Sequence, residues 1–166
     1  TSAASLGLDV DADSTVSSLT VANITPVSIA SSITLTGAIA VTAGSIKLDE
    51  AGTLGSTVTM SGGKLDADET LTVSGALTQS GAIEIDVASG EVLTYSGAAV
   101  SLGAYTLTMS GGGTLSNTHA FALNDEDSKL KLNSITVARV STSAASLGLD
   151  VDADSTVSSL TVANIT

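Results

Sequence analysis

The 166 residues carry a formal charge of −12, from 17 acidic against 5 basic side chains, with 43% hydrophobic residues, 2% aromatics and no cysteine. Such acidity opposes a nucleic-acid partner, because binding to phosphate backbones runs on Lys and Arg displacing counterions. The missing cysteine excludes disulfides, thiol catalysis and Cys-ligated zinc, and Gly, Ser and Thr interrupt every apolar stretch well short of the roughly 18 residues of a membrane helix, so no membrane insertion is expected in this segment.

In chain order, the first element is also the last. Residues 1 to 25, TSAASLGLDVDADSTVSSLTVANIT, return letter for letter as residues 142 to 166, a period of 141 positions. The chain reads as one repeat unit, 1–141, followed at 142–166 by the start of the next identical copy in a tandem array. The natural protein is expected to be longer, with any targeting signal outside this stretch.

Between the two copies, short segments place apolar residues at i and i+2 around a polar or small one. They begin with Leu6-Gly7-Leu8, Leu19-Thr20-Val21, Ile33-Thr34-Leu35, Ile39-Ala40-Val41, Ile46-Lys47-Leu48 and Val58-Thr59-Met60. They continue with Leu71-Thr72-Val73, Ile83-Glu84-Ile85, Leu93-Thr94-Tyr95, Val100-Ser101-Leu102, Leu107-Thr108-Met109, Phe121-Ala122-Leu123, Leu130-Lys131-Leu132 and Ile135-Thr136-Val137. This spacing predicts strands with one buried face. Gly62-Gly63 and Gly111-Gly112-Gly113 are expected to supply the positive φ of tight turns. No segment sustains the i, i+3, i+4, i+7 pattern of a helix, so the chain is all-β.

An aliphatic-Thr-apolar motif opens at Leu19, Ile33, Val58, Leu71, Leu93, Leu107 and Ile135, and Leu160 starts the next round. Seven starts per period suggest coils of about 20 residues in a three-faced parallel β-solenoid, right-handed and β-helix-like. Weaker matches at Leu6, Ile46, Ile83, Phe121 and Leu147 allow eleven thinner coils of about 13 residues instead. At about 4.8 Å per coil the two accounts give a rise of roughly 34 or roughly 53 Å per period. The longer coil is favoured because 13 residues leave little interior once the turns are made. The remaining alternative is a string of β-sandwich domains, which would want larger core anchors and longer strands. Pro26 is the single proline, which suits a ladder pairing nearly every backbone N–H with a neighbouring coil.

Phrases such as Thr70-Leu71-Thr72-Val73-Ser74-Gly75-Ala76-Leu77-Thr78 and Thr106-Leu107-Thr108-Met109-Ser110-Gly111-Gly112-Gly113-Thr114-Leu115 resemble the β-solenoid stalks of bacterial surface proteins, namely autotransporter passengers and haemagglutinin-type adhesins. The resemblance implies an exported scaffold, extracellular or on the cell surface. The perfect long repeat departs from those stalks, whose coils usually diverge, and points to a homogenised fibre.

Candidate chemistry is sparse. Asp9, Asp11 and Asp13, copied at Asp150, Asp152 and Asp154, alternate as at the start of a calcium loop, which makes calcium the one candidate cofactor. Ser14 stands where the turn glycine belongs and Thr20 where the closing Glu belongs, so solvated charges are the competing reading. Asp66, Asp68 and Glu69 form a second acidic cluster and Asp125, Glu126 and Asp127 a third. Asp49, Asp66 and Asp86 are candidate acid-base groups of a polysaccharide enzyme, but sugar clefts want aromatic platforms that this chain lacks. His119 and Arg139 stand alone of their kinds, leaving no triad or zinc site, and no enzyme is expected. The Thr pairs 57/59, 70/72 and 106/108 raise the idea of a flat ice-binding array. Asn23-Ile24-Thr25, copied at 164–166, fits the N-glycosylation pattern. The expected function is a structural repeat segment of a long extracellular filament or surface stalk, its partners being identical repeats stacked head-to-tail in the same or neighbouring chains. An adhesin module that binds a host, cell or glycan ligand is the alternative.

Overall fold

Alternation along each segment is what closes the core. In Ile83–Val87 the aliphatic residues 83, 85 and 87 are buried while Glu84 and Asp86 stay partly exposed, and Leu71–Val73 and Phe121–Leu123 repeat the pattern. The computed structural model describes residues 6–8, 16–22, 26–29, 34–143 and 148–163. Among them there is no helix, and the ladders between strands are parallel, assembled as a three-sided β-solenoid.

One side, the charged face, stacks eight strands: Leu6–Leu8, Val27–Ile29, Ser45–Leu48, Lys64–Ala67, Ile83–Val87, Thr106–Ser110, Lys129–Leu132 and Leu149–Val151. A second, the threonine face, stacks Thr34–Leu35, Gly52–Leu54, Leu71–Val73, Val92–Tyr95 and Thr114–Asn117. The third, the smooth face, holds Ser18–Ala22, Ala38–Ala43, Val58–Met60, Leu77–Gln79, Val100–Ser101 and Phe121–Leu123. Thr136–Thr142 and Thr156–Val162 run unbroken from the threonine face onto the smooth face.

Register fixes the coil. On the charged face Val27, Ile46, Leu65, Ile85, Met109, Leu132 and Val151 share one column. On the smooth face Leu19, Ile39, Val58 and Leu77 form one column, and across a break Val100, Phe121, Val140 and Leu160 form its continuation. Leu160 is the copy of Leu19, so seven coils of about 20 residues return the chain to the same residue in the same column. A 13-residue coil is not formed, and parallel stacking replaces the antiparallel pairing of a sandwich.

The Thr motif does not mark one position per coil. Leu19, Val58 and Leu160 lie in strands on the smooth face, Leu71 and Leu93 on the threonine face, and Leu107 on the charged face. Any inward-outward-inward strand reads alike in sequence, whichever side it lies on, which is why the intervals were uneven.

At the break between Leu77–Gln79 and Val100–Ser101, side chains replace the ladder. The Tyr95 hydroxyl, reaching through the core, accepts from Leu77 N at 3.1 Å and donates to Ala98 O. Burial holds its ionisation above the ordinary range, with the bond from Leu77 opposing. Tyr95 packs against Phe121 with ring centroids 5.7 Å apart. Around this pair the core is almost wholly Ile, Leu, Val and Met. Gly63, Gly111 and Gly112 adopt φ of 76°, 106° and 83°, as the glycine runs foretold. Pro26 lies just before Val27–Ile29, where its missing N–H costs the ladder nothing.

The two copies of the repeated segment differ in register on the charged face. Val151 stacks on Leu132, yet the residue level with Val27 in the first copy is Leu6 rather than Val10, the sequence partner of Val151. The second copy gains Lys131 opposite Asp150, a charge match that Gly7 opposite Ser28 does not offer.

Candidate functional site

The residues with the most specific partners sit where the second copy of the repeat meets the first. Ser134 takes a left-handed φ of 52°, a conformation that costs a non-glycine residue. Its N–H donates to Asp152 Oδ1 and Oδ2 at 3.1 and 3.2 Å. Beside it Ile135 N donates to Ser155 Oγ at 3.2 Å, and Ser155 Oγ donates to Asp152 Oδ1 at 2.7 Å. Ser155 N closes the turn onto Asp152 O. Asp152 and Ser155 copy Asp11 and Ser14. The DVDADS motif of one copy therefore caps the strained turn that ends the preceding copy.

This geometry gives the acids of the second copy protein or solvent surroundings. Asp152 points at backbone donors, Asp150 lies opposite Lys131, and Asp154 is exposed beyond the turn. Among the described residues no three Asp, Glu, His or Cys side chains are gathered as a metal-binding group. Asp9, Asp11 and Asp13 lie outside the described residues, as do the glycosylation motifs at 23–25 and 164–166.

The Ser155 hydroxyl, then the Ser134 N–H, hold the Asp152 carboxyl below its ordinary range. A carboxylate whose folded pKa is depressed contributes stability above its unfolded value, and that contribution is lost as pH falls through the folded one. The junction should therefore loosen first on acidification below about pH 4. Asp152→Ala is expected to raise hydrogen exchange at Ser134 and Ile135 at pH 7, with EDTA leaving the wild-type melting temperature unchanged. Unchanged exchange in the variant would remove the capping role, and a melt lowered by EDTA would assign these acids to calcium.

The other candidates are dispersed. Lys47 Nζ lies 2.7 Å from Asp49 and 2.8 Å from Asp68, and Lys64 Nζ 3.0 Å from Asp66 and 3.7 Å from Asp86. Hydrogen bonds donated to Asp49, then Asp68, hold the Lys47 ammonium protonated beyond its ordinary range. Asp86 also accepts from Ser110 Oγ at 3.0 Å. Asp49, Asp66 and Asp86 thus pair with lysines along the charged face. Surface pairs of this kind contribute only about 0–1 kcal/mol, but they match opposite charges between successive coils. His119 Nδ1 lies 3.0 Å from Gly97 O, a corner contact between coils. The Asp125 to Asp127 cluster forms a turn in which Asp127 N donates to Asp125 Oδ1. The three Thr pairs lie on three different faces, so they build no common array. A shallow groove on the charged face is lined by Gly44, Ser45, Gly63, Lys64, Glu84 and Thr108 among others.

Sequence reasoning missed the junction because Asp152 acts on Ser134, whose left-handed turn only the fold reveals. Asn133-Ser134 ahead of Ile135 was the available signal for such a turn. No protein family, no curated protein and no solved structure matches this chain.

Proposed function

We propose that the chain is a structural repeat segment of a long extracellular filament or cell-surface stalk, extended by stacking each copy of the repeat on the last. The observation that carries this reading is a pair of identical residues in unlike surroundings. Val21 is 1% exposed beneath Val41 of the next coil, whereas its copy Val162, on the last described coil, is 55% exposed. Leu160 and Val151 on the same edge are 49% and 41% exposed, while Val140 and Leu132 one coil below are 1% and 0%. The same residue is therefore buried where a further coil stacks on it and open where none does.

Whole coils per repeat support the same reading, since on the smooth face Leu160 returns to the column of Leu19, of which it is the copy. In such a stack stability is a sum of nearest-neighbour terms that grows with copy number. The placement outside the cell rests on the resemblance to surface stalks.

Arrays of the repeat should form rods that lengthen by about 34 Å per copy, seven coils at about 4.8 Å each. Electron microscopy of arrays of defined copy number measures this directly. An increment near 53 Å, or globules separated by linkers, would overturn the reading. Protease cleavage of the protein on intact source cells tests the surface location.

A further inference from the structure

The three faces of the solenoid carry unlike chemistry. Every lysine lies on the charged face, at Lys47, Lys64, Lys129 and Lys131, interleaved with Asp66, Glu84, Asp86 and Asp150. The threonine face shows one outward column of hydroxyls, Thr34, Thr53, Thr72, Thr94 and Ser116. Glu50, Glu69 and Glu91 precede its strands in three successive coils, giving it an acidic rim.

The smooth face has neither feature. Its central outward column reads Thr20, Ala40, Thr59 and Thr78, then Ser101, Ala122, Ser141 and Thr161. The segments forming this face and its corners, 16–22, 37–44, 55–63, 74–82, 96–104 and 118–124, contain no Asp, Glu, Lys or Arg. Arg139, at the strand edge opposite Ser159, is the one charged side chain on its strands among the described residues. In a chain of charge −12, this is the side on which two copies meet without opposing like charges.

We infer that the smooth face is a lateral contact between two copies of this solenoid, pairing rods side by side. Thr is the largest side chain in its central column, so two such sheets approach to the roughly 10 Å of face-to-face packing without a bulky side chain between them. A two-fold axis makes the contact self-complementary.

Area sets when pairing occurs. Seven coils span about 34 Å and five residues of strand about 16 Å, so one repeat offers about 540 Å². A stable interface needs about 800 Å² per partner, which one repeat does not reach and two exceed. Pairing is therefore switched on by copy number. The inference rests on the filament reading, because only coils added in phase align the smooth faces of successive repeats.

The test uses the 166-residue chain and arrays of two and four repeats, in sedimentation and small-angle scattering. The 166-residue chain should stay single. The four-repeat array should pair, with a doubled cross-section and an apparent affinity at least about 100-fold above that of the single chain. Raising ionic strength should strengthen pairing by screening the acidic rods. Thr59→Glu with Thr78→Glu in every repeat should abolish pairing with circular dichroism and melting unchanged, whereas Thr53→Glu with Thr72→Glu on the threonine face should leave it intact. Four-repeat rods that lengthen normally but stay single overturn this inference alone, as does loss of pairing in the threonine-face variant only. Single rods retained on an insoluble polysaccharide would likewise replace a second copy with a glycan as occupant. Arrays that do not lengthen by the expected rise overturn the filament reading itself.

Discussion

Replacement of Gly75 by valine is expected to cost about 3 kcal/mol or more and to divide the solenoid at one corner. A Cβ at position 75 would fall on the Ser56 carbonyl of the preceding coil, and one at Gly97 on the Gly75 carbonyl. At Gly75 the corner between the threonine and smooth faces is thus backbone stacked on backbone, with no side-chain end that can swing aside. Either the corner opens or the two coils separate, and the ladder on both sides is lost with them. Because each coil contacts only its neighbours, hydrogen exchange should report the damage near residues 56 and 75 before any global transition. Gly55→Ala is the matched control. A Cβ there meets Leu35 O at 3.5 Å, an ordinary contact, and its stability should stay close to wild type. A Gly75→Val chain within about 1 kcal/mol of that control by urea denaturation would show that the corner yields more easily than its geometry implies.

Asn117→Leu should be nearly as damaging, although it places an apolar side chain of similar size at a site only 4% exposed. Asn117 Nδ2 donates to His119 O at 2.8 Å and to Arg139 O at 2.7 Å, while its Oδ1 accepts from Arg139 N at 3.0 Å. The amide thus joins two coils where Thr136–Thr142 passes from the threonine face to the smooth face without a turn. Leucine would leave three backbone groups without these partners, at about 1–3 kcal/mol for each that water cannot reach. The expected loss is about 3 kcal/mol, with faster exchange at Arg139 as the local sign. Asn117→Asp, which keeps the acceptor and loses the donor, should retain slow exchange at Arg139 N while still lowering stability. A Leu variant as stable as wild type would show that water satisfies the corner.

Gln79 repeats this device and shares its invisibility. Its Nε2 donates to Gly81 O and Thr106 O, both at 2.9 Å, from an inward position. Both Leu77–Gln79 and Thr114–Asn117 escaped the alternation reading because an inward amide breaks the apolar pair on which it relies. Gly52–Leu54 escaped for the complementary reason, since Gly52 fills the column occupied by Leu71 and Leu93 in the following coils. Lys64–Ala67 hid behind a small inward alanine. The strands that were read correctly, such as Val58–Met60 and Phe121–Leu123, carry two large apolar residues each.

By itself the sequence determined that this chain is all-β, built of short half-buried strands, acidic, free of cysteine and periodic at 141 residues. Those properties are local or compositional. A strand declares its buried side every second residue, and an identical copy declares itself letter by letter. Only the tertiary structure decided which face each strand occupies, that charge gathers on one side and leaves another bare, and that Asp152 caps Ser134 across the repeat junction. Each of those depends on the register between coils about 20 residues apart, and that register is set by corner length and backbone approach, which alternation along a strand does not encode.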